Sequence, residues 1–286
     1  MSFELLLDPL QYNFMQRALL VAILVGIICA LVGSYLMVQR LSLLGDVISH
    51  AMLPGLAIAF VAGVNLNLGA FIAGIFSTLI IAGIKARSRL KEDAAMGIVF
   101  SAFFAFGIIL ITLIQKDNRI DLFGFLFGNI LGVTSGEVRE TAIITLVVTL
   151  VIILFYKELL FYTFDYEGAQ AAGLPINFLN FGLTLLIAGA IVASLDTVGV
   201  VLVMALLITP SATAYLLVKR LHWVMILGAI IGVISSITGM YLSYYFNLPS
   251  GPAIVMVAIG FFSLAFCFSP QEGIFIPSQR RNKPKV

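Results

Sequence analysis

Charged residues are scarce in this sequence, and their scarcity excludes an ordinary soluble protein. Asp, Glu, Lys and Arg together make up 10% of the 286 residues, while 61% of the residues are hydrophobic. A soluble domain has about 25% charged and about 45–50% apolar residues. The formal net charge is only +2, which gives no electrostatic reason to expect a nucleic-acid partner. The composition therefore indicates an integral membrane protein whose surroundings are mainly lipid.

Motifs that would indicate an enzyme or a cross-linked protein are also missing. The sequence has two cysteines, Cys29 and Cys267, and because both lie in apolar runs we expect them to pack without forming a disulfide. It contains no G-x-x-x-x-G-K-[ST] phosphate loop, no zinc-finger spacing and no nucleophile elbow. We therefore expect no enzyme activity and no permanently bound cofactor in this chain. Any energy source must come from another subunit or from an ion gradient.

Long apolar runs are what the sequence has in abundance. A run of about 20 apolar residues forms a helix of about 30 Å, which matches the hydrocarbon thickness of a bilayer. The sequence predicts an all-α transmembrane bundle of about nine spans (eight to ten), forming a single domain over residues 1–286. The segment Ile120–Val133 is apolar but short and glycine-containing, so we expect it to be re-entrant. The predicted spans are residues 15–38, 42–63, 66–84, 94–115, 141–156, 181–196, 199–218, 223–245 and 252–268.

Basic residues indicate the orientation, because Lys and Arg concentrate in short cytoplasmic loops. Nine spans place all three basic clusters on one side of the membrane, with the N-terminus outside and the C-terminal tail, residues 270–286, in the cytoplasm. The clusters follow the third, seventh and ninth predicted spans and consist of Lys85, Arg87, Arg89 and Lys91, then Lys219 and Arg220, then Arg280, Arg281, Lys283 and Lys285.

One hydrophilic interval on the predicted cytoplasmic side, residues 157–180, is too polar to be a span. Residues 167–172 favour a helix, and Gly173 followed by Pro175 is a helix stop signal. We expect a short cytoplasmic helix within residues 163–175 that is presented to a partner protein. A plain connecting loop is the alternative.

Two ionisable residues interrupt the second predicted span. Asp46 and His50 are four residues apart, so they lie on one face of a helix. An ionisable side chain at the bilayer centre costs roughly 3 kcal/mol even on insertion scales, and it usually marks a functional site. A carboxylate and an imidazole together suit a borderline divalent cation. A structural Asp–His pair and a proton relay are the alternatives.

Two ligands are too few for a tight metal site. A second copy of the chain, placed across a two-fold axis, would raise the number to four and leave a site able to bind and release its ion. Ser49 adds an oxygen near the pair and is a candidate pore-lining residue. Asp196 lies near the end of the sixth predicted span, where it could line a pore or lie in a hydrated turn.

Four segments resemble one family. The segment SLLGDVISHAMLPGLAIAF, residues 42–60, closely resembles the signature of the membrane permeases of metal-importing ATP-binding-cassette transporters, the ABC-3 family that takes up manganese, zinc and iron(II). Further segments that resemble the same family are VGVVLVMALLITPSATAYLL (198–217), FYTFDYEGAQAAGLP (161–175) and YFNLPSGPAIVMVAIGF (245–261). Within the family, LLITPSATAYLL is more similar to the manganese and iron branch than to the zinc branch.

The resemblance implies a permease in a bacterial-type inner membrane that works as a homodimer surrounded by membrane lipid. Its implied partners are two cytoplasmic ATPase subunits and an extracytoplasmic metal-binding protein that delivers the ion. Asp46 and His50 match the positions that coordinate the passing metal, while Asp165, Glu167 and Gly173 fall in the helix that docks into the ATPase. The implied cargo is manganese, with zinc or iron(II) as alternatives. A proton-coupled secondary transporter without an ATPase is the alternative of a different class.

Overall fold

The computed structural model describes residues 8–114 and 128–269. Over these two ranges the regular structure is helical throughout and contains no strand, so the all-α prediction is confirmed. Beside two short 3-10 turns, Pro9–Gln11 and Ile130–Gly132, the two ranges contain twelve α-helices. They are α1 (Asn13–Val38), α2 (Ser42–Ala51), α3 (Leu53–Ala62), α4 (Leu66–Arg87), α5 (Glu92–Ile114), α6 (Ser135–Leu154), α7 (Tyr156–Phe164), α8 (Tyr166–Ala171), α9 (Ile176–Val198), α10 (Val200–Leu217), α11 (Leu221–Phe246) and α12 (Ser250–Phe268).

The number of membrane-spanning helices agrees with the predicted bundle. Within the described ranges, eight stretches are long and apolar enough to cross a bilayer, and α2 and α3 together form one of them, Ser42–Ala62. The number becomes nine if α6 and α7, which meet at a 70° bend, are taken as one broken span. The prediction of about nine spans is therefore confirmed, and the chain is a multi-pass membrane protein.

Two helices begin at least five residues earlier than their predicted spans. Helix α6 begins at Ser135 and not at residue 141, because Thr134 and Glu137 form a capping box. The Glu137 backbone N–H donates to Thr134 Oγ1 (3.3 Å), and the Thr134 N–H donates to Glu137 Oε2 (2.7 Å). This exchange starts the helix within polar sequence that a search for apolar runs omits. Helix α9 likewise begins at Ile176, directly after the stop signal at Pro175.

One compact unit consists of the described parts of residues 1–38, 129–145 and 201–286. Helix α11 packs along α1 and also contacts α12. A Cβ added to Gly26 would lie 3.1 Å from the carbonyl carbon of Gly232, so these two backbones cross at close range. Small residues at such crossings provide the van der Waals packing that holds helices together in lipid.

The other compact unit consists of residues 39–128, where described, and 146–200. Helix α3 packs on α4 and α5, and α2 contacts α4, α5 and α9. The α3–α4 crossing depends on Gly55 and Gly69, because a Cβ on either one would overlap the carbonyl oxygen of the other. This unit holds α2, which carries Asp46 and His50, against three other helices.

The remaining predicted segments are short connections or lie beyond the described residues. The break between α9 and α10 is the single residue Gly199, whose φ of +80° is favourable only for glycine. Of the segment predicted to be re-entrant, residues 120–127 lie outside the described ranges, and residues 128–133 form a loop with the 3-10 turn Ile130–Gly132. The predicted cytoplasmic tail, residues 270–286, also lies outside them.

Candidate metal site in the second span

The regular helical hydrogen bonding of the second span is interrupted just after the Asp46–His50 pair. Helix α2 ends at Ala51, and α3 begins at Leu53 with Pro54 in its first turn. Proline has no N–H, so Pro54 cannot donate the regular helical hydrogen bond to the carbonyl of His50. Proline is tolerated at that position because the first N–H groups of a helix need no intrahelical acceptor. The span therefore changes from one helix to the next at the level of the candidate ligands.

Asp46 and His50 contact each other along one face of α2. The Nδ1 atom of His50 lies 3.3 Å from Asp46 Oδ1 and 3.0 Å from the Asp46 backbone oxygen. In the tautomer with the proton on Nδ1, the ring donates to Asp46 and leaves the lone pair of Nε2 available. Within the described residues, Nε2 has no hydrogen-bond partner. A carboxylate that fixes the tautomer of a ligating imidazole is a common arrangement at metal sites.

Two phenylalanines of α5 cover one side of the imidazole. The ring of His50 meets Phe100 at 5.0 Å and Phe104 at 5.3 Å between centroids, edge to face in both cases. Phe100 and Phe104 are stacked on each other at 5.7 Å. These apolar rings restrict rotation of the imidazole and exclude water from that side, which strengthens the attraction between a ligand and a cation.

The opposite side of the pair is open. The side chain of Asp46 is 45% exposed and that of His50 is 19% exposed, and Leu43, one turn earlier on α2, is 52% exposed. Across the two described ranges, no group of three or more His, Cys, Asp and Glu residues is placed to hold a metal ion. Among the residues that the structure describes, the candidate site therefore consists of two side chains, Asp46 and His50, with one side left open.

The two candidate pore-lining residues are placed differently. Ser49 is buried, and its hydroxyl donates to the Gly45 carbonyl of the same helix at 2.8 Å. Asp196 is exposed in the last turn of α9, where it accepts a hydrogen bond from Asn67 Nδ2 at 3.1 Å. Asn67 lies in the first turn of α4, so Asp196 joins the ends of two helices. It does not form a three-residue group with Asp46 and His50.

A short helix, α8, lies within residues 163–175, where a cytoplasmic helix is predicted. Asp165 caps its N-terminus by accepting a hydrogen bond from the Gly168 N–H at 2.8 Å. Gly173, with a φ of +79°, terminates it in the left-handed conformation. Glu167 and Tyr166 are exposed in the first turn, whereas Ala169 is buried on the inner face. The three residues predicted for this segment thus define the two ends of the helix and part of its exposed surface.

Sequence reasoning missed the neighbours of the predicted residues. Phe100 and Phe104 have a spacing of four residues in an apolar span, but the chain has 23 phenylalanines, and nothing in the pattern distinguishes these two. No pattern in the sequence identifies Asn67 as the partner of Asp196. The capping box at the start of α6 could have been found, because Thr134 and Glu137 have the required spacing.

Comparison with known proteins gives a consistent result. The family model of the ABC 3 transport family matches residues 11–269. The manganese transport system membrane protein MntC of Listeria monocytogenes is 46% identical over 271 residues, which cover 95% of this chain and 96% of the relative. A probable iron transport system membrane protein of Haemophilus influenzae is 44% identical over 270 residues, covering 93% and 98%.

A solved structure extends the similarity to the fold. A chain of PsaBC from Streptococcus pneumoniae, determined in complex with Fab, superposes with a TM-score of 0.84 and 39% sequence identity, covering 98% of each chain. The matched residues include α1 to α12, and the family inferred from the residues around Asp46 and His50 is confirmed. The chain belongs to the ABC 3 transport family.

Proposed function

We propose that this chain is the membrane permease subunit of an ATP-driven importer that carries a divalent transition metal, manganese first, into the cytoplasm. The observation that carries the proposal is the Asp46–His50 pair on α2, in contact through Nδ1 and open on one side. The pair lies in a membrane span, and Pro54 removes one helical hydrogen bond at the next turn. Two relatives that match nearly the whole chain are named for manganese and iron transport.

The ligand types support a borderline cation. A carboxylate oxygen suits manganese and iron(II), and an imidazole nitrogen suits iron and zinc, so all three metals fit the donor set. Intrinsic affinity would favour zinc over manganese at such a site. Manganese remains the first candidate because of the named relatives, and selection for it would then depend partly on the protein that delivers the ion. Zinc and iron(II) are the alternative cargoes.

Two copies of the chain would complete the site. Each copy offers Asp46 and His50 on an open face, and a two-fold axis between two α2 helices would bring four protein ligands to one ion. The ion would exchange part of its hydration shell for these groups, which avoids the cost of placing a bare dication in hydrocarbon. A site assembled from two halves can also release the ion when the halves move apart.

Energy and delivery would come from other subunits. The sequence has no phosphate loop, so ATP would be hydrolysed by two separate cytoplasmic ATPases. The exposed side of α8, with Tyr166 and Glu167, is the proposed docking surface for them. An extracytoplasmic binding protein would deliver the metal. Closure of the ATPases would move α8 and shift the two α2 helices between two arrangements of the gate.

The proposed orientation follows the basic loops. Lys85 and Glu92 form an ion pair of 2.6 Å at the turn between α4 and α5, on the side predicted to be cytoplasmic. The N-terminus is then outside, and the C-terminus is in the cytoplasm.

Competitive uptake tests the function. Cells that lack their own manganese importer would express this chain with its ATPase and binding protein, and accumulated manganese, iron and zinc would be measured by mass spectrometry. We expect ATP-dependent accumulation, with manganese preferred in an equimolar mixture. Uptake that persists without ATP hydrolysis but stops when the proton gradient collapses would instead support a secondary transporter.

A further inference from the structure

A hydrogen bond joins two turns that are 124 residues apart in the sequence. The side-chain amide of Gln39, through Nε2, donates to Thr163 Oγ1 at 3.2 Å. Both residues are half-buried, and both belong to the same compact unit. A partly buried hydrogen bond meets less competition from water than an exposed one does.

Gln39 lies at the base of the helix that carries the candidate ligands. It follows α1, and α2 begins three residues later at Ser42. Between them, Arg40 has a φ of +61°, an uncommon conformation for a residue other than glycine, and it turns the chain sharply. Asp46 is about 6 Å along the axis of α2 from Ser42, since a helix rises about 1.5 Å per residue. A movement of the Gln39 turn would therefore be passed directly to Asp46.

Thr163 lies at the base of the proposed docking helix. It is in the last turn of α7 and two residues before Asp165, the N-cap of α8. The rings of Tyr162 on α7 and Tyr166 on α8 are 6.0 Å apart, and the two helices contact each other. Helices α7 and α8 are thus packed together, and Thr163 would move when α8 is displaced.

We propose that Gln39 and Thr163 are positioning residues that transmit movement of the docking helix α8 to the ligand helix α2. The inference rests on the proposed function, because it assumes that α8 receives the ATPase and that Asp46 and His50 receive the metal. Neither residue belongs to the candidate metal site, Asp46 and His50. Their hydrogen bond couples the turn before α2 to the turn before α8, so breaking it would let the ATPases close without moving the gate fully.

The test compares variants that remove or keep one hydrogen-bonding group. Thr163→Val has nearly the shape of threonine but lacks the hydroxyl, whereas Thr163→Ser keeps the hydroxyl and loses a methyl group. Gln39→Leu removes the amide from the other side. The complete transporter, with its ATPases and binding protein, would be reconstituted in liposomes. Manganese ions imported per ATP hydrolysed would be measured for each variant and for the Gln39→Leu/Thr163→Val double variant.

We expect Thr163→Val and Gln39→Leu to lower the ions imported per ATP about two- to ten-fold, the range that one neutral hydrogen bond supports. Thr163→Ser should match the wild type. The double variant should be no worse than the more affected single variant, because both changes break the same bond. This ratio responds to coupling, whereas a variant that only folds less well loses transport and hydrolysis together.

Two results would overturn the proposed coupling through Gln39 and Thr163. One is an unchanged ratio in both single variants, and the other is a double variant whose loss equals the product of the two single losses. If Thr163→Val does not assemble with the ATPases, Gln39→Leu decides the outcome alone. A wild-type transporter that imports no metal with ATP would refute the proposed function itself, while normal wild-type import with an unaffected ratio in the variants would refute the proposed coupling alone.

Discussion

Asp46 and His50 direct part of their bonding capacity out of the chain. The Asp46 carboxylate is 45% exposed, and within the described residues His50 Nε2 has no hydrogen-bond partner. Ser49, one turn from Asp46, is buried and donates to Gly45 of its own helix. This contrast separates a residue that can bind an ion from one whose hydroxyl bonds within α2.

Replacing the charge at Asp46 should strongly reduce import while leaving the fold intact. Asp46→Asn keeps an oxygen that can accept from His50 Nδ1 but removes the negative charge. A hydrogen bond to a charged group is worth about 1.5–3 kcal/mol, and we expect the carboxylate to contribute at least as much to binding a dication. We expect manganese accumulation to fall at least about ten-fold, because about 1.4 kcal/mol corresponds to a factor of ten. Ser49→Ala is the matched control and should retain most of the uptake. Normal accumulation in Asp46→Asn cells, at an equal amount of protein in the membrane, would remove Asp46 from the site.

At the scale of the helices, close crossings depend on individual glycines. A Cβ on Gly69 of α4 would overlap the Gly55 carbonyl oxygen and would lie 2.6 Å from the Cβ of Ala59 on α3, whereas a Cβ on Gly83 of the same helix would meet no atom within 4 Å. We expect Gly69→Ala to destabilise the protein by about 1–3 kcal/mol, as overpacking does. Gly83→Ala should be neutral or slightly stabilising because alanine favours a helix. Thermal unfolding in detergent checks both, and equal transition temperatures would contradict the close α3–α4 crossing.

The capping of α8 gives a prediction about docking of the ATPase. Asp165→Ala removes the side-chain acceptor of the Gly168 N–H, and loss of an N-cap typically costs about 1 kcal/mol. In a helix of six residues this should disorder the first turn, which carries Glu167, and should weaken co-purification of the ATPase in mild detergent. Asp165→Asn restores a capping oxygen without the charge, so binding should recover. If Asp165→Asn is as defective as Asp165→Ala, the charge of Asp165 matters and its capping role does not explain the loss.

Sequence reasoning found the helices more reliably than their ends or their contacts. Apolar runs identify spans because about 20 residues are needed to cross a bilayer, and spacing alone placed Asp46 and His50 on one face. The start of α6 was set by the hydrogen bonds between Thr134 and Glu137, which hydropathy does not register. The aromatic cover of His50 and the Asn67–Asp196 bond join residues that are distant in the sequence, so no local pattern could reveal them.

For the whole molecule, the open face of α2 predicts that one working site needs two intact copies. Coexpression of wild-type and Asp46→Asn chains in equal amounts, with different tags to verify the ratio, tests this prediction. Random pairing in a two-fold dimer makes about one quarter of the dimers fully wild type. If an ion needs ligands from both copies, uptake should fall to about one quarter of that of cells with the same total amount of wild-type chain. If each copy carries its own ion, every wild-type chain remains active, and uptake should fall only to about one half.

Coexpression of wild type with Ser49→Ala is the control and should leave uptake close to the wild-type value, because Ser49 bonds within its own helix. A result near one half would mean that Asp46 and His50 act within a single chain, and the ligands missing from the site would then have to be water or groups of that same chain.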